Sequence, residues 1–207
     1  MANQAPKNPK LKRLRAVLWV LVAAAALAAI GLLFWSGPRA SGKRGSDTAQ
    51  KQFGGPFTLV DANGQPFSSA RLEGKPHLMF FGFTRCGDVC PTTLARLTRL
   101  RDQAGGPAAM NIVFVTIDPA HDGPREVGQY AQLFNSPIIG LTGTQQQIDA
   151  VKRQYGIYAE PMPHAAAGQE MAHTGTVLVF DRAGGFVGTI TPDEPDASAL
   201  ATLKALR

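Results

Sequence analysis

Apolar and polar residues alternate with several distinct periods along the chain. Ala16 to Trp35 is a run of 20 residues without a charge. At about 1.5 Å per residue, a helix of that length matches a hydrocarbon core roughly 30 Å thick, so we expect a transmembrane anchor at 16–35. Residues 36–52 are rich in Gly, Ser, Lys and Arg and have no apolar periodicity, as suits a flexible linker. The folded domain is expected over 53–207. Its first pattern is a hairpin, with Phe57–Val60 and Gln65–Phe67 flanking the turn signal Asp61-Ala62-Asn63-Gly64. His77–Phe83 is a short apolar run of the kind a buried strand shows. Pro91–Gln103 carries Leu94, Leu97 and Leu100 at helical spacing, and Asn111–Ile117 is rich in β-branched and aromatic residues, as a strand would be. Helices are expected at Pro124–Phe134, Thr144–Tyr155 and Pro195–Leu206, and strands at Thr176–Phe180 and Phe186–Ile190. Strands alternating with helices predict an α/β sheet with crossover connections, extended at its N-terminal end by the hairpin.

A net charge of +6 raises nucleic acid as a partner until the charge is located. Residues 1–52 hold nine Lys/Arg against one Asp, net +8, whereas residues 53–207 hold twelve against fourteen Asp/Glu, net −2. The domain has no basic excess with which to neutralise phosphates, so nucleic-acid binding is not expected. Lys7, Lys10, Lys12, Arg13 and Arg15 precede the apolar run, and Arg39, Lys43 and Arg44 follow it. That bias keeps a basic tail, 1–15, in the cytoplasm and exports the domain. A cleaved signal peptide is the rival reading, but the run exceeds a typical h-region of about 7–15 residues and no A-x-A-like site follows it. The fifteen residues before the run leave no room for an Arg/Ser-rich transit peptide. The expected location is a bacterial inner membrane, crossed once, with the C-terminal domain in the periplasm.

Cys86 and Cys90 are the two cysteines, spaced C-x-x-x-C between an expected buried strand and an expected helix. Pro91 suits the first helical position, which would place Cys90 near the N-cap, where amide N–H groups and the helix dipole favour a thiolate. Both sulfurs can then converge on one point, as a disulfide or as two legs of a metal site. A structural disulfide closing so small a loop would stabilise little. Among the histidines, His173 stands just before the strand ending in Phe180, and by itself a lone His is more often a surface or hydrogen-bonded residue than a ligand.

Four segments, FGFTRCGDVCPTTL (Phe81–Leu94), VTIDPAHDGP (Val115–Pro124), GLTGT (Gly140–Thr144) and HTGTVLVFDRAG (His173–Gly184), resemble the SCO/SenC family in content and in order. The resemblance covers nearly all of the chain after the linker. It implies a thioredoxin-like domain that binds copper, as Cu(I) or Cu(II), and helps build the Cu-A centre of cytochrome c oxidase. By motif position, Cys86 and Cys90 match the thiolate ligands and His173 the histidine ligand. The Cu-A subunit, a thiol reductant and another copper donor are the partners it implies. No catalytic residue is expected beyond a redox-active Cys86–Cys90 pair, and no enzyme activity.

Gly87 stands where the family often has proline, which loosens the loop backbone. His121 stands where arginine is common, and we expect an exposed turn residue there rather than an extra ligand. Asp88 and Asp118 match acidic family positions, with turn or cap hydrogen bonding as the plainer role. Met162, His164 and Met171 are copper-compatible side chains, but their segment, Glu160–Met171, reads as a mobile surface loop. A thiol–disulfide oxidoreductase acting on the oxidase copper site is the alternative function, although redox enzymes of this fold usually carry C-x-x-C. A peroxidase using Cys86 beside Arg85 fits the motif order less well.

Overall fold

In the computed structural model the described residues are 19–22, 27, 53–162, 171–173 and 175–206, with the backbone alone described at 161 and 171–173. The chain divides into two compact units, Met1–Arg44 and Gly45–Arg207. In the first, Trp19–Val22 are helical and exposed, and most of the expected 16–35 anchor lies outside the described residues. Among the described residues no helix is long and apolar enough to cross a membrane.

The second unit is built on a seven-stranded mixed sheet. Strands β1 (Thr58–Asp61), β2 (Pro66–Ser68), β3 (His77–Gly82), β4 (Asn111–Thr116), β5 (Ile139–Thr142), β8 (Val177–Phe180) and β9 (Phe186–Ile190) lie in the order β2-β1-β5-β4-β3-β8-β9. β3, β4 and β5 are parallel, and the flanking strands are antiparallel to their neighbours. Helices α1 (Val89–Gln103), α2 (Pro124–Gln132), α3 (Gln145–Gln154) and α4 (Asp196–Ala205) supply the crossovers and the C-terminus.

The expected hairpin forms because Asp61 builds its own turn, its Oδ1 accepting the Asn63 and Gln65 N–H groups at 2.9 and 3.0 Å. It joins the main sheet, β1 pairing with β5. All six residues of β3 are buried, as expected for a central strand covered on both faces. β9, at the edge, alternates. Phe80, Phe81, Phe114, Leu94 and Leu97 are fully buried between sheet and helices, each stabilising by about 1.5–3 kcal/mol relative to exposure. Thr144 begins α3 with a capping box, its Oγ1 accepting the Gln147 N–H while Gln147 Oε1 accepts the Thr144 N–H at 2.8 Å.

β5 was not legible as a strand. It has four residues, and its Gly140 is held against α2, where a Cβ would meet Val127 O at 2.7 Å. The ends of the expected Glu160–Met171 loop also pair, as β6 (Ala159–Pro161) and β7 (Met171–His173), a separate two-stranded sheet. Residues 163–170 lie outside the described residues.

Candidate metal centre

The chain leaves β3 at Gly82, passes Thr84 to Gly87, and enters α1 at Val89. Three sets of contacts fix this turn. Thr84 donates its N–H and its hydroxyl to the Asp122 carboxylate at 2.9 and 2.6 Å, and Thr116 donates its hydroxyl to the same group at 2.6 Å. Asp122 is fully buried, and Thr142 in β5 donates to its carbonyl at 2.6 Å. Near the surface, Arg85 Nη2 reaches Asp118 Oδ2 at 2.8 Å. Burial pushes the Asp118 carboxyl up, but hydrogen bonds from His121 and Arg85 outweigh it and the net shift is downward. An ion pair this exposed contributes less than about 1 kcal/mol, so the buried Asp122 network is the stronger fastening. On the far side of α1, Arg96 donates to Asp196 and to the Thr191 and Glu194 carbonyls, which ties the cysteine-bearing helix to the start of α4.

No disulfide joins the two cysteines, of which Cys86 is half-buried and Cys90 fully buried. The Cys90 N–H donates to Cys86 Sγ at 3.4 Å, so an amide of the first helical turn serves Cys86. This corrects the expectation for Cys90. The helix starts two residues before Pro91, with Asp88 as N-cap, and this turns Cys90 into the core. Burial pushes the Cys90 thiol far above its usual value; a hydrogen bond with the Phe83 backbone opposes this, while Cys86 and the Asp122 charge add to it. Desolvation outweighs the helix dipole here.

Gly82 makes room for that sulfur: a Cβ there would lie 2.7 Å from Cys90 Sγ. Gly82, Thr84, Thr116 and Asp122 are therefore site residues that sequence reasoning missed. The glycine inside the apolar run Phe80–Phe83 was the available signal, since a strand glycine often marks a close approach.

Asp88 makes no side-chain cap hydrogen bond. His121, with its side chain 58% exposed, bonds Asp118 through Nδ1 at 2.9 Å, the surface turn role expected of it. The His173 backbone pairs with Ala159 in the β6–β7 hairpin, and its side chain lies outside the described residues. Two residues on, a Cβ at Gly175 would sit 3.8 Å from Val89 Cγ1, so the chain leading into β8 passes beside the residue preceding Cys90 at this point. Met162 is exposed; His164 and the Met171 side chain lie outside the described residues. Among the described residues no group of three or more His, Cys, Asp or Glu is arranged to hold a metal. What they contribute is a pair of soft donors, one buried and one accessible. That pair fits a thiophilic metal such as copper.

Residues 45–207 match the SCO1/SenC family model. The chain is 33% identical over 155 residues to the mitochondrial protein SCO2 of Saccharomyces cerevisiae, covering 73% of this chain and 52% of that protein, so it spans about half the relative's length. Among solved structures it is similar to ScoI of Bradyrhizobium japonicum with copper bound, at 35% identity and a TM-score of 0.67 over 75% of this chain and 99% of that one. It is also similar to yeast Sco1 with copper bound, at 29% identity and a TM-score of 0.65 over 73% of this chain and 86% of that one. The mixed sheet and these neighbours give the domain the thioredoxin-like fold of Sco proteins. From the family match across 45–207, the chain belongs to the SCO1/SenC family.

Proposed function

We propose that this protein is a copper metallochaperone, anchored in a bacterial inner membrane by residues 16–35, whose periplasmic domain carries copper to the Cu-A centre of cytochrome c oxidase. The observation that carries the reading is the pairing of an accessible Cys86 with a buried Cys90 at a rigidly fastened strand–helix turn, with no disulfide between them. Copper bound in the SCO-type structures that this chain resembles supports it. In the proposed ligand set Cys86, Cys90 and His173 hold copper as cargo. Two thiolates suit Cu(I), and an added imidazole makes Cu(II) tolerable.

The asymmetry of the pair gives release an order. Cys86 is reached from solvent and is where an incoming thiolate of the acceptor begins ligand exchange, while Cys90 holds the ion from inside. A Cys86–Cys90 disulfide would remove both donors, so oxidation and metal binding exclude one another. Copper titration of the reduced full chain in detergent tests the reading. The expected result is one tight site, lost in Cys86→Ser and Cys90→Ser, with His173→Ala losing Cu(II) more than Cu(I). Equal affinity in the oxidised protein would place the ligands elsewhere. An accessible cysteine backed by a buried one also suits thiol–disulfide exchange, the second reading. Exchange does not need His173, so a His173→Ala variant that still restores oxidase activity to a deletion strain at low copper would put that reading first.

A further inference from the structure

At the end of the sheet away from the cysteines, a groove of about 850 Å³ opens between the start of the domain and the β8–β9 turn. His77, on its lining, begins β3 and Gly82 ends it; at about 3.3 Å per residue the two stand roughly 16 Å apart. Five aromatic rings form the walls. Phe53 lies against Phe186, ring centroids 4.3 Å apart, and Tyr155 meets Phe57 and Phe180 edge-on at 6.0 and 5.9 Å. Hydrogen bonds hold the rims in place. The Gly54 N–H donates to Gln154 O at 3.0 Å, the Tyr155 hydroxyl to Gly55 O at 2.9 Å, and the Gly74 N–H to Arg182 O at 2.8 Å.

The charges on this lining share one sign. Glu73 is exposed and Asp181 half-buried, and among the described residues no lysine or arginine lines the groove. Asp181 uses Oδ1 for its own turn, accepting the Ala183 and Gly185 N–H groups at 2.8 Å each, and Oδ2 takes part in neither bond. His77 lies at the floor, 5% exposed, and its Nδ1 has no hydrogen-bond partner among the described residues. Burial lowers its pKa to about 4, so at pH 7 it adds no positive charge. A buried nitrogen without a partner is costly in a wall that serves packing alone. Aromatic faces attract cations, and nearby carboxylates add to the attraction. A groove of this size, mostly apolar with a few polar groups, is of the kind that takes a small molecule.

We propose that this groove is a second binding site, separate from the cysteine pair, that takes an organic ammonium ion, a charged amine carrying an aromatic or aliphatic body. The body lies among Phe53, Phe57 and Phe186, and the ammonium lies toward Glu73 and Asp181. The site does not depend on whether Cys86 and Cys90 hold copper.

Phenethylamine, protonated at pH 7, tests this by calorimetric titration into the full chain in detergent, with protein-free micelles as the blank. One saturable site is expected, and the neutral counterpart phenethyl alcohol should bind at least about fivefold more weakly. Glu73→Gln and Asp181→Asn should each weaken amine binding about two- to fivefold with the melting temperature near wild type. Asp181→Asn keeps the oxygen that its turn needs. Phe53→Ala should weaken both probes, because it removes a wall and not a charge, and Cys86→Ser should bind the amine as wild type does. The linker's Lys43 and Lys51 carry the same chemistry. Replacing both with Gln should leave the affinity unchanged; a rise would show that the chain's own ammonium fills the groove and would overturn its assignment to a free ligand. Absence of a saturable site, equal binding of the alcohol, or full affinity in both acidic-residue variants would each overturn the proposal as well.

Discussion

Asp122 and Thr84 are joined twice, the Asp122 carboxylate accepting the Thr84 N–H at 2.9 Å and the Thr84 hydroxyl at 2.6 Å. One residue thus holds the turn carrying Cys86 to the loop after β4. Removing the carboxylate would leave the buried Thr116 hydroxyl and the half-buried hydroxyl and amide of Thr84 without their acceptor, and unmet groups of this kind cost about 1–3 kcal/mol each before relaxation. Asp122→Ala should lower unfolding stability by about 2–4 kcal/mol, read from the urea midpoint. Arg85→Ala, which breaks the surface pair with Asp118, should cost less than about 1 kcal/mol. Equal losses in the two variants would show that the buried network is not the main fastening.

Gly82→Ala tests the space around Cys90. Its Cβ would meet Cys90 Sγ at 2.7 Å, Phe80 Cε1 at 3.1 Å and Phe114 Cε2 at 3.2 Å, and overpacking of this kind costs about 1–3 kcal/mol. The sulfur must move or the strand must shift. We expect a lower melting temperature together with weaker Cu(I) binding, because the displaced donor is one of the proposed ligands. Wild-type copper affinity in a folded Gly82→Ala protein would mean that the position of Cys90 Sγ does not matter to the metal.

These residues also mark where the sequence stopped being informative. The Asp61–Gly64 turn, the strand His77–Phe83 and the leucine spacing of α1 were legible because they depend on local chemistry and period. The C-x-x-x-C pair was legible for the same reason. Which cysteine is buried was not, because it depends on helix phase: starting α1 at Val89 rather than Pro91 turns Cys90 into the core. Asp122 and Thr84 lie 38 residues apart, so nothing local announces their bond. β5 escaped notice because four residues with a glycine carry too little period.

His77 gives the fold a dependence on pH. Its ring stacks on Phe180, centroids 4.7 Å apart and planes 10° from parallel, and it is only 5% exposed. Burial lowers its pKa from 6.5 to about 4, against an upward pull from the Lys75 backbone and Asp181. The unfolded chain therefore takes up this proton first. Stability contributed by neutral His77 is complete above pH 6.5 and drains away as pH falls toward 4. At about 1.4 kcal/mol per pH unit, that window carries about 3 kcal/mol. His77→Phe keeps the stacking and removes the titration, so its melting temperature should fall less than wild type between pH 7 and pH 4.5. Parallel losses in the two proteins would assign the acid sensitivity to other groups.

The two cysteines should differ in reactivity. Alkylation requires a thiolate and a path for the reagent. Cys90 is short of both, its sulfur fully buried beneath Gly82 and its thiol pushed far up by burial, whereas Cys86 is half-buried at the mouth of the turn. When the reduced, metal-free protein meets iodoacetamide at pH 8, a single adduct on Cys86 should accumulate first. Cys90 should follow at least about ten times more slowly, at a rate set by local opening of the turn. In urea the two rates should converge, because burial is what separates them. Without urea, Cys86→Ser should react slowly, and Cys90→Ser should keep the fast phase. Asp122→Ala, by loosening the turn, should quicken Cys90 more than Cys86. Peptide mapping by mass spectrometry reads each rate directly. If Cys90 reacted first in the native protein, the buried sulfur would not be the inner donor, and the proposed order of copper release, opening at Cys86, would have to be reversed.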